Sequence, residues 1–367
     1  MIKWIPLIPE PSPSLRTDYD SKQLQRMHLN ENLVFPKNVM RRILAKCVDE
    51  YDPRVYPDSI FEEESLILNR ELARYCSCSE RSVAIGAGGD QLIDLLFRVT
   101  VPKSTVTALI VSPTFPMYPF FAKSQGFRLQ DVWLNPSTAR DPFSLPSNLK
   151  ETWKKSRAKL LVIVSPNNPT GIQLSVEVIS ELLEIAPDKP VLLDEAYVEF
   201  ARYDGAKELL KAHPNLVVLR TFSKAFALAS LRLGYILCSN VEFIQKFNET
   251  YQYPYPVTGL SLSMGIELLR RKEVVLEWVE KTKLFREELI ASLQKLPRLH
   301  VVPKSDTNFV LVQTNGAQKL AEELLSGYAI LVKHFPALGK EKEFLRITVG
   351  SQEANRRLLF ALRRILL

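Results

Sequence analysis

Cysteine and histidine are scarce in this sequence, which contains four of each among 367 residues. The cysteines do not form the dense framework of a disulfide-stapled domain, and Cys76-Ser77-Cys78 has the wrong spacing for paired zinc ligands. The histidines are scattered, and no His-Glu-x-x-His pattern occurs. These absences predict reduced thiols and no metal site, and they disfavour metal-dependent hydrolysis.

Long apolar runs are also absent. The longest, such as Leu160–Val164, have the length of a strand and fall far short of the roughly 20 residues that a membrane-spanning helix needs. Prolines at positions 6, 9, 11 and 13 interrupt the first residues, which lack the apolar stretch and cleavage site of a signal peptide. We therefore expect a cytoplasmic protein with no membrane partner.

The balance of charges is basic, with a formal net charge of +7. This charge suggests a non-catalytic nucleic-acid-binding protein as one alternative, but such a protein concentrates basic residues on one face, interleaved with aromatic residues. Here the runs Arg41-Arg42, Arg270–Lys272 and Arg356-Arg357 are far apart and mixed with acidic residues. We expect no nucleic-acid partner, and a positive protein favours the approach of an anionic substrate.

Composition and patterning predict a large α/β protein. With 46% hydrophobic and 24% charged residues, the chain can bury a large core. From about residue 82 to 238, short runs that are apolar on both faces alternate with helical segments, as in a mostly parallel sheet flanked by helices. The predicted strands are Ser82–Ile85, Val106–Val111, Lys159–Ser165, Val191–Asp194, Leu216–Leu219 and Gly234–Leu237.

The remainder of the chain predicts a second, smaller α+β domain. A long periodic helix near residues 274–296 precedes three strand-like runs, and a helix over residues 353–367 closes the chain. The runs are Thr307–Val312, Ile330–Val332 and Phe344–Val349. We expect a large cofactor-binding domain of residues 50–255, with residues 1–49 and 256–367 forming an N-terminal arm and the small domain.

Polar motifs follow several of the predicted strands. The loop Gly86–Gln91 follows one strand, Asn168 follows another within Ser165–Gly171, Asp194 closes a third and Lys224 follows a fourth. Ligands of such sheets bind beyond the carboxyl ends of the strands, so we expect these motifs at one rim. Backbone amides at the helix start in the glycine-rich loop can bind a phosphate, although the loop fits neither the Walker A motif nor the dinucleotide fingerprint.

Thr221–Tyr235 is the most informative segment, because Lys224 lies in a small-residue turn eight positions before Arg232. A lysine amine attacks an aldehyde only after losing its proton, and Arg232 can lower its pKa through a shared phosphate site. Asp194 ends an apolar strand, where a pyridinium nitrogen would be a fitting partner for its carboxylate. Together with Asn168 and Tyr197, these residues supply the groups that hold and use pyridoxal phosphate, whereas Asp194 alone is equally typical of a helix cap and Asn168 of a turn.

The sequence resembles the fold-type I aminotransferases, and most closely the histidinol-phosphate aminotransferases. The resemblance covers nearly the whole chain, and the segments that carry it are Leu29–Asn32, Tyr56–Asp58, Gly88–Leu96, Pro113–Tyr118, Ser165–Gly171, Asp194–Tyr197, Thr221–Tyr235, Pro254–Pro256, Thr307–Phe309 and Leu345–Gly350.

This resemblance implies an α/β fold with a large domain around a mostly parallel sheet, a smaller α+β domain, and pyridoxal 5′-phosphate as cofactor. Its implied catalytic residues are Lys224, which forms the Schiff base, Asp194, which pairs with the pyridine nitrogen, and Tyr197. Phe115 takes the ring-stacking position, and Tyr56 reaches the cofactor phosphate of the other subunit in a homodimer. The other implied cofactor contacts are Gly89, Asp90, Gln91, Asn168, Thr221, Ser223 and Arg232, and the implied substrate contacts are Asn32, Lys333 and Arg346.

The implied reaction moves the amino group of L-histidinol phosphate to 2-oxoglutarate in two half-reactions, giving imidazole-acetol phosphate and L-glutamate in histidine biosynthesis. Two departures concern the substrate: Lys333 stands where the family usually has an arginine with a bidentate fork, and Tyr19 is the nearest equivalent of the Pro-Tyr in the family's N-terminal arm. An aromatic amino-acid aminotransferase and a threonine-phosphate decarboxylase share the chemistry and remain the alternatives.

Overall fold

The computed structural model describes residues 24–49, 51–100, 106–138, 143–338 and 343–367. Residues 1–23, and with them Tyr19 and part of the expected N-terminal arm, lie outside the described part. The strands are β1 (Gln25–Met27), β2 (Val83–Gly86), β3 (Thr107–Ser112), β4 (Arg128–Trp133), β5 (Leu160–Val164), β6 (Val191–Asp194), β7 (Leu216–Thr221), β8 (Gly234–Leu237), β9 (His300–Val301), β10 (Phe309–Gln313), β11 (Ile330–Phe335) and β12 (Phe344–Thr348).

The α-helices of the described residues alternate with these strands. They are α1 (Lys37–Asp49), α2 (Glu63–Cys76), α3 (Gly88–Thr100), α4 (Met117–Ser124), α5 (Leu149–Lys155), α6 (Val176–Ile185), α7 (Gly205–Leu209), α8 (Val241–Lys246), α9 (Gly259–Arg270), α10 (Lys272–Leu293), α11 (Ala317–Tyr328) and α12 (Gln352–Leu366).

A seven-stranded sheet in the order β2-β8-β7-β6-β5-β3-β4 forms the centre of the α/β fold. β8 runs antiparallel to β2 and β7, and the other pairs are parallel. Successive residues of β5 enter hydrophobic clusters on opposite faces, with Leu161 and Ile163 in one and Leu160 and Val162 in the other. Both faces are therefore buried, which explains why these strands are apolar throughout.

The sequence prediction found six of these strands but not β4. Only Val132 of β4 is fully buried, and the strand includes Arg128 and Asp131. β4 lies at the edge of the sheet, where one side of the strand faces solvent and polar residues are tolerated. A strand of this kind carries no continuous apolar signal.

The second sheet has five strands in the order β1-β11-β12-β10-β9. Helices α10, α11 and α12 pack on it through leucines such as Leu293, Leu324 and Leu358, in a cluster that also includes Met27 of β1. Ile43 and Cys47 of α1 instead pack in a cluster of the large sheet. The domain limits at residues 50 and 255 stay a prediction.

The two sheets meet where β5, β6 and β7 end and where β11 and β12 present their side chains. Asn168, Asp194 and Lys224 follow or close the first three strands, and Lys333 and Arg346 belong to the last two. None of the helices in the described residues is long and apolar enough to cross a membrane.

Candidate functional site

A cavity of about 720 Å³ lies between the carboxyl ends of the large sheet and the small sheet. It brings together most of the side chains that the sequence singled out. Those that line it are Gly89, Asp90, Phe115, Asn168, Asp194, Tyr197, Thr221, Ser223, Lys224, Arg232, Lys333 and Arg346.

Lys224 follows β7 and directs its amine into this cavity. Its Nζ donates a 3.0 Å hydrogen bond to the carbonyl oxygen of Leu29 and lies 5.6 Å from the centre of the Tyr197 ring. Burial lowers the pKa of Lys224 to about 8, with the positive charge of Arg346 as a further cause and Arg232 contributing less. A far larger fraction of this amine is therefore unprotonated near neutral pH than in an ordinary lysine, and the unprotonated amine is the nucleophile.

Asp194 is buried at the end of β6. Its Oδ1 accepts a 2.8 Å hydrogen bond from the backbone amide of Ala196, and its Oδ2 accepts a 2.7 Å hydrogen bond from the Tyr118 hydroxyl. Burial raises the pKa of Asp194 to about 6 even though both hydrogen bonds lower it. The described residues form no salt bridge with this carboxylate, so a cationic partner in the cavity would stabilise its charged form.

One end of the cavity is a polar cradle. It is formed by hydroxyl groups, a guanidinium group and the start of α3. Arg232 Nη1 donates a hydrogen bond to Ser223 Oγ at 3.4 Å, and Arg232 Nη2 donates to Asp90 Oδ2 at 3.1 Å. Thr221 Oγ1 donates to Ser223 Oγ at 3.0 Å. Gly88 has a φ of +77°, and a Cβ there would lie only 2.8 Å from Arg232 Nη2. This cradle fits a phosphate, which a helix N-terminus and an arginine both attract.

Gln91 belongs to the same loop but does not line the cavity. Its Oε1 accepts a 2.7 Å hydrogen bond from the Ala87 amide, and its Nε2 donates to Gln252 at 3.2 Å. The side chain therefore braces the loop from behind, and direct cofactor contact by Gln91 stays a prediction.

Tyr197, Asn168 and Phe115 form the walls around Lys224. The Tyr197 hydroxyl accepts a 2.9 Å hydrogen bond from Asn30 Nδ2, and burial raises the pKa of Tyr197 to about 12. Asn168 uses its side-chain oxygen to accept from Arg346, which leaves its NH₂ group as the donor toward the cavity. Phe115 lines the wall next to Tyr118, with their rings edge to face at 6.4 Å.

Arg346 and Lys333 supply positive charge from the small sheet. They are register partners on the antiparallel strands β12 and β11, so their side chains leave the same face. Arg346 Nη2 donates to the His28 carbonyl oxygen at 2.8 Å, whereas its buried Nε has no hydrogen-bond partner among the described residues. Burial, followed by the charge of Arg346, lowers the pKa of Lys333. Two adjacent cations and an unused donor suit an anionic group in the cavity.

Two further expected site residues, besides Gln91, lie outside this cavity. Asn32 Nδ2 donates a 3.0 Å hydrogen bond to the Ala225 carbonyl, and Asn32 Oδ1 accepts from the Phe35 amide at 3.3 Å. Tyr56 is 82% exposed, and its ring lies 5.3 Å from that of Tyr255. Asn32 thus ties the N-terminal segment to the turn after Lys224, and Tyr56 is accessible to a second molecule.

Sequence analysis gave no role to Tyr118 or Asn30, although both belong to segments that carry the resemblance. Each is a polar residue at a fully buried position and bonds a side chain of the site. The signal available in the sequence was a polar residue within a family motif, but only the fold shows which site residue it contacts. Within the described ranges, no group of three or more His, Cys, Asp or Glu side chains is arranged to hold a metal ion.

Comparison with known proteins identifies the family of this chain. Residues 54–362 match the family model described as aminotransferase class I and II. The chain is 35% identical over 345 residues to the histidinol-phosphate aminotransferase of Caldanaerobacter subterraneus, covering 93% of both chains.

Solved structures share the fold. The histidinol-phosphate aminotransferase of Sinorhizobium meliloti, in complex with pyridoxal-5′-phosphate, has a TM-score of 0.81 at 23% identity over 94% of this chain and 90% of that one. The L-threonine-O-3-phosphate decarboxylase of Porphyromonas gingivalis has a TM-score of 0.78 at 21% identity, over 94% and 99% of the two chains. The fold is thus common to both kinds of enzyme. The family match decides the wider class: the chain belongs to the class I and II aminotransferases, which are pyridoxal-phosphate-dependent enzymes.

Proposed function

We propose that this enzyme transfers the amino group of L-histidinol phosphate to 2-oxoglutarate, giving imidazole-acetol phosphate and L-glutamate. The observation that carries the proposal is that one cavity holds the amine of Lys224 together with the paired cations Lys333 and Arg346. Both proposed substrates are anionic, and relatives about one-third identical over most of the chain are named histidinol-phosphate aminotransferases.

The residues of the cavity fit pyridoxal 5′-phosphate as the cofactor. The cradle around Gly88 and Arg232 suits the phosphate, and the buried carboxylate of Asp194 suits a protonated ring nitrogen. Phe115 presents a ring surface, while Tyr197 and Asn168 offer donors to a ring oxygen. When bound, this cofactor supplies an electron sink that stabilises negative charge at the substrate Cα.

The chain's own residues then divide the remaining tasks. Lys224, whose pKa is lowered to about 8, can take a proton from the donor's Cα and return one, since both forms of its amine are accessible close to neutral pH. Arg346 and Lys333 bind and orient anionic groups, and the planar fork of Arg346 matches a carboxylate. The negatively charged carboxylate of Asp194 would pair with the ring nitrogen and keep that nitrogen protonated.

A cytoplasmic homodimer belongs to the same proposal. Tyr56 is exposed and stacked near Tyr255, and Val55 and Phe61 are also largely exposed nearby in the sequence. Exposed apolar and aromatic side chains of this kind are typical of an interface between proteins. In this dimer, Tyr56 would reach the cofactor phosphate of the other subunit.

The test is a single half-reaction. Purified protein is loaded with pyridoxal phosphate, and its visible absorption is recorded before and after addition of L-histidinol phosphate without a keto acid. We expect the band to be lost on addition of the donor and restored by 2-oxoglutarate, as in ping-pong kinetics. Lys224→Ala, which removes the nucleophile, should show neither the original band nor its cycling.

L-Phenylalanine and L-threonine phosphate serve as competing donors in the same assay. A response to phenylalanine alone would replace the proposed substrate by an aromatic amino acid. Carbon dioxide release from threonine phosphate would identify a decarboxylase. A colourless protein retained on nucleic acid in a salt-sensitive manner would contradict catalysis altogether.

A further inference from the structure

The segment between β1 and α1 crosses the site and contacts it at consecutive residues. The His28 carbonyl accepts from Arg346, the Leu29 carbonyl accepts from Lys224, and the Asn30 side chain donates to Tyr197. Asn30 is 1% exposed, so its amide bonds only to groups of the protein or the cavity. These contacts place Asn30 beside the hydroxyl of Tyr197, whose ring centre lies 5.6 Å from Lys224 Nζ.

Three hydrogen bonds to the small sheet hold Asn30 in place. Its backbone amide donates to Thr348 Oγ1 at 3.0 Å, and its carbonyl oxygen accepts from Asn308 Nδ2 at 3.0 Å. The Thr348 hydroxyl in turn donates a hydrogen bond to Asn30 Oδ1 at 3.3 Å. Asn30 has a φ of +56°, a left-handed conformation that asparagine tolerates better than most residues.

This network fixes which end of the Asn30 amide faces Tyr197. The Thr348 oxygen already receives the Asn30 backbone proton, so its own hydroxyl proton needs an acceptor, and Asn30 Oδ1 supplies it. Turning the amide over would place NH₂ against Thr348 and leave that hydroxyl proton without this acceptor. The NH₂ group therefore points at the Tyr197 oxygen.

The direction of this bond decides where the Tyr197 proton goes. A phenolic hydroxyl has one proton, and an oxygen that accepts from Asn30 keeps that proton for another acceptor. Asn30 Nδ2 is the hydrogen-bond partner of Tyr197 in the described part of the chain, and Tyr197 lines the cavity beside Lys224. Its proton therefore points into the cavity.

We propose that Asn30 is a positioning residue, which orients the Tyr197 hydroxyl as a donor toward the bound cofactor's ring oxygen. This inference rests on the proposed function, since it assigns Tyr197 to that oxygen. A hydrogen bond donated to the ring oxygen would stabilise the charged form of that oxygen. With the cofactor joined to Lys224, it would also lower the pKa of the proton shared between this oxygen and the Lys224 nitrogen. Without Asn30, the hydroxyl is free to rotate and part of this stabilisation is lost.

The experiment measures the pH midpoint of the visible absorption change in the cofactor-loaded protein. Tyr197→Phe removes the donor and should raise the midpoint by about one unit, the equivalent of one hydrogen bond to a charged group. Asn30→Gly deletes the amide without left-handed strain and should raise the midpoint by about half as much. In the Tyr197→Phe background, Asn30→Gly should cause no further shift.

Two more variants separate positioning from general loosening. Asn308→Ala removes a bond that holds the Asn30 backbone but keeps the Asn30 amide, and it should leave the midpoint within about 0.2 units of wild type, well under the value of one hydrogen bond. Asn30→Asp keeps the shape of the side chain but adds a negative charge, which raises the midpoint in either background, and it also offers Tyr197 an acceptor, so the rise should be larger when Tyr197 is present.

The outcomes distinguish this inference from the proposed function. If Tyr197→Phe shifts the midpoint and Asn30→Gly does not, the positioning role is wrong while the cofactor assignment stands. Equal shifts in Asn30→Gly and Asn308→Ala, or a shift by Asn30→Asp that is as large without Tyr197 as with it, would also overturn it. A wild-type protein with no visible band would refute the proposed function itself.

Discussion

The Tyr118 hydroxyl donates a 2.7 Å hydrogen bond to Oδ2 of Asp194, and both side chains are buried. Tyr118 belongs to α4, which follows β3, whereas Asp194 ends β6, so the bond joins the layers around two strands that are separated in the sheet by β5. Burial raises the pKa of Asp194 to about 6, and this hydrogen bond opposes the increase. Tyr118 thus keeps charged the carboxylate that we assign to the cofactor's ring nitrogen.

Tyr118→Phe should raise the pKa of Asp194 further and weaken cofactor binding at neutral pH. A hydrogen bond to a charged group contributes about 1.5–3 kcal/mol, so we expect the affinity for pyridoxal phosphate to fall roughly tenfold or more at pH 7. The loss should shrink as the pH rises and the carboxylate ionises in the variant too. Cofactor titrations between pH 6 and 9 measure this, with Tyr253→Phe at an exposed tyrosine as the control. Equal affinities of Tyr118→Phe and wild type would contradict the role of Tyr118.

Lys224 should react with pyridoxal phosphate at a pH well below that of an ordinary lysine. Its pKa is lowered from 10.5 to about 8, so raising the pH converts the ammonium to the reactive amine with a midpoint near 8. Stopped-flow measurement of the visible band in the cofactor-free protein gives this midpoint.

Arg346→Met tests the electrostatic part of that shift. Removing a nearby positive charge should move the midpoint upward, whereas Arg98→Met, on the exposed part of α3, should not change it. A wild-type midpoint near 10 would mean that the amine is not perturbed.

Much of the fold was predictable from apolar patterning, because strands buried on both faces leave continuous runs of Val, Ile and Leu. Val191–Asp194 and Gly234–Leu237 have the bounds expected from the sequence. β1 was not predicted, since Gln25–Met27 is a three-residue strand in which only Met27 is buried. It acquires its role only by pairing with β11, more than 300 residues along the chain.

The site was predictable to the extent that its residues follow strands whose carboxyl ends meet. Lys224, Asp194 and Arg346 line one cavity as expected. The relationships between side chains were not predictable: Arg346 contributes more than Arg232 to the lowered pKa of Lys224, although Arg232 is closer in sequence. Such contacts depend on how the small sheet packs against the large one, which local sequence does not encode.

Arg220 on β7 is buried with two acidic partners on the opposite side of the strand from the cavity. Its Nε and Nη2 donate to Glu195 Oε2 at 3.0 and 2.6 Å, and Nη2 also contacts Asp204. Arg220→Met would leave Glu195 buried without its cation, so we expect the free energy of unfolding to fall by about 3–5 kcal/mol.

Urea unfolding of the cofactor-free protein measures this loss. Lys155→Met breaks the exposed pair with Glu151 and should cost less than about 1 kcal/mol. Adding Glu195→Gln to Arg220→Met should restore part of the stability, because the unpaired charge is removed. A loss as small as that of Lys155→Met would refute the buried pair as a source of stability.

Lys333 should determine how tightly a phosphorylated donor binds. It is the register partner of Arg346 and faces the same cavity, but an ammonium group lacks the two-pronged geometry of a guanidinium group. Lys333→Arg should lower KM for L-histidinol phosphate about threefold to tenfold with little change in kcat, since one more hydrogen bond to the anion adds about 1 kcal/mol. Lys333→Met should raise KM by at least as much.

Unphosphorylated L-histidinol provides the decisive comparison, because it offers Lys333 no phosphate. If Lys333 binds the phosphate, the KM of this substrate should be nearly the same in wild type, Lys333→Arg and Lys333→Met. Lys304→Met, at an exposed lysine of the small domain, controls for the general effect of net charge. Equal effects of Lys333→Met on the KM of both substrates would instead mean that Lys333 acts through its charge on Arg346 and Lys224 and does not contact the phosphate. In that case, removal of Lys333 would also shift the pH midpoint of Lys224.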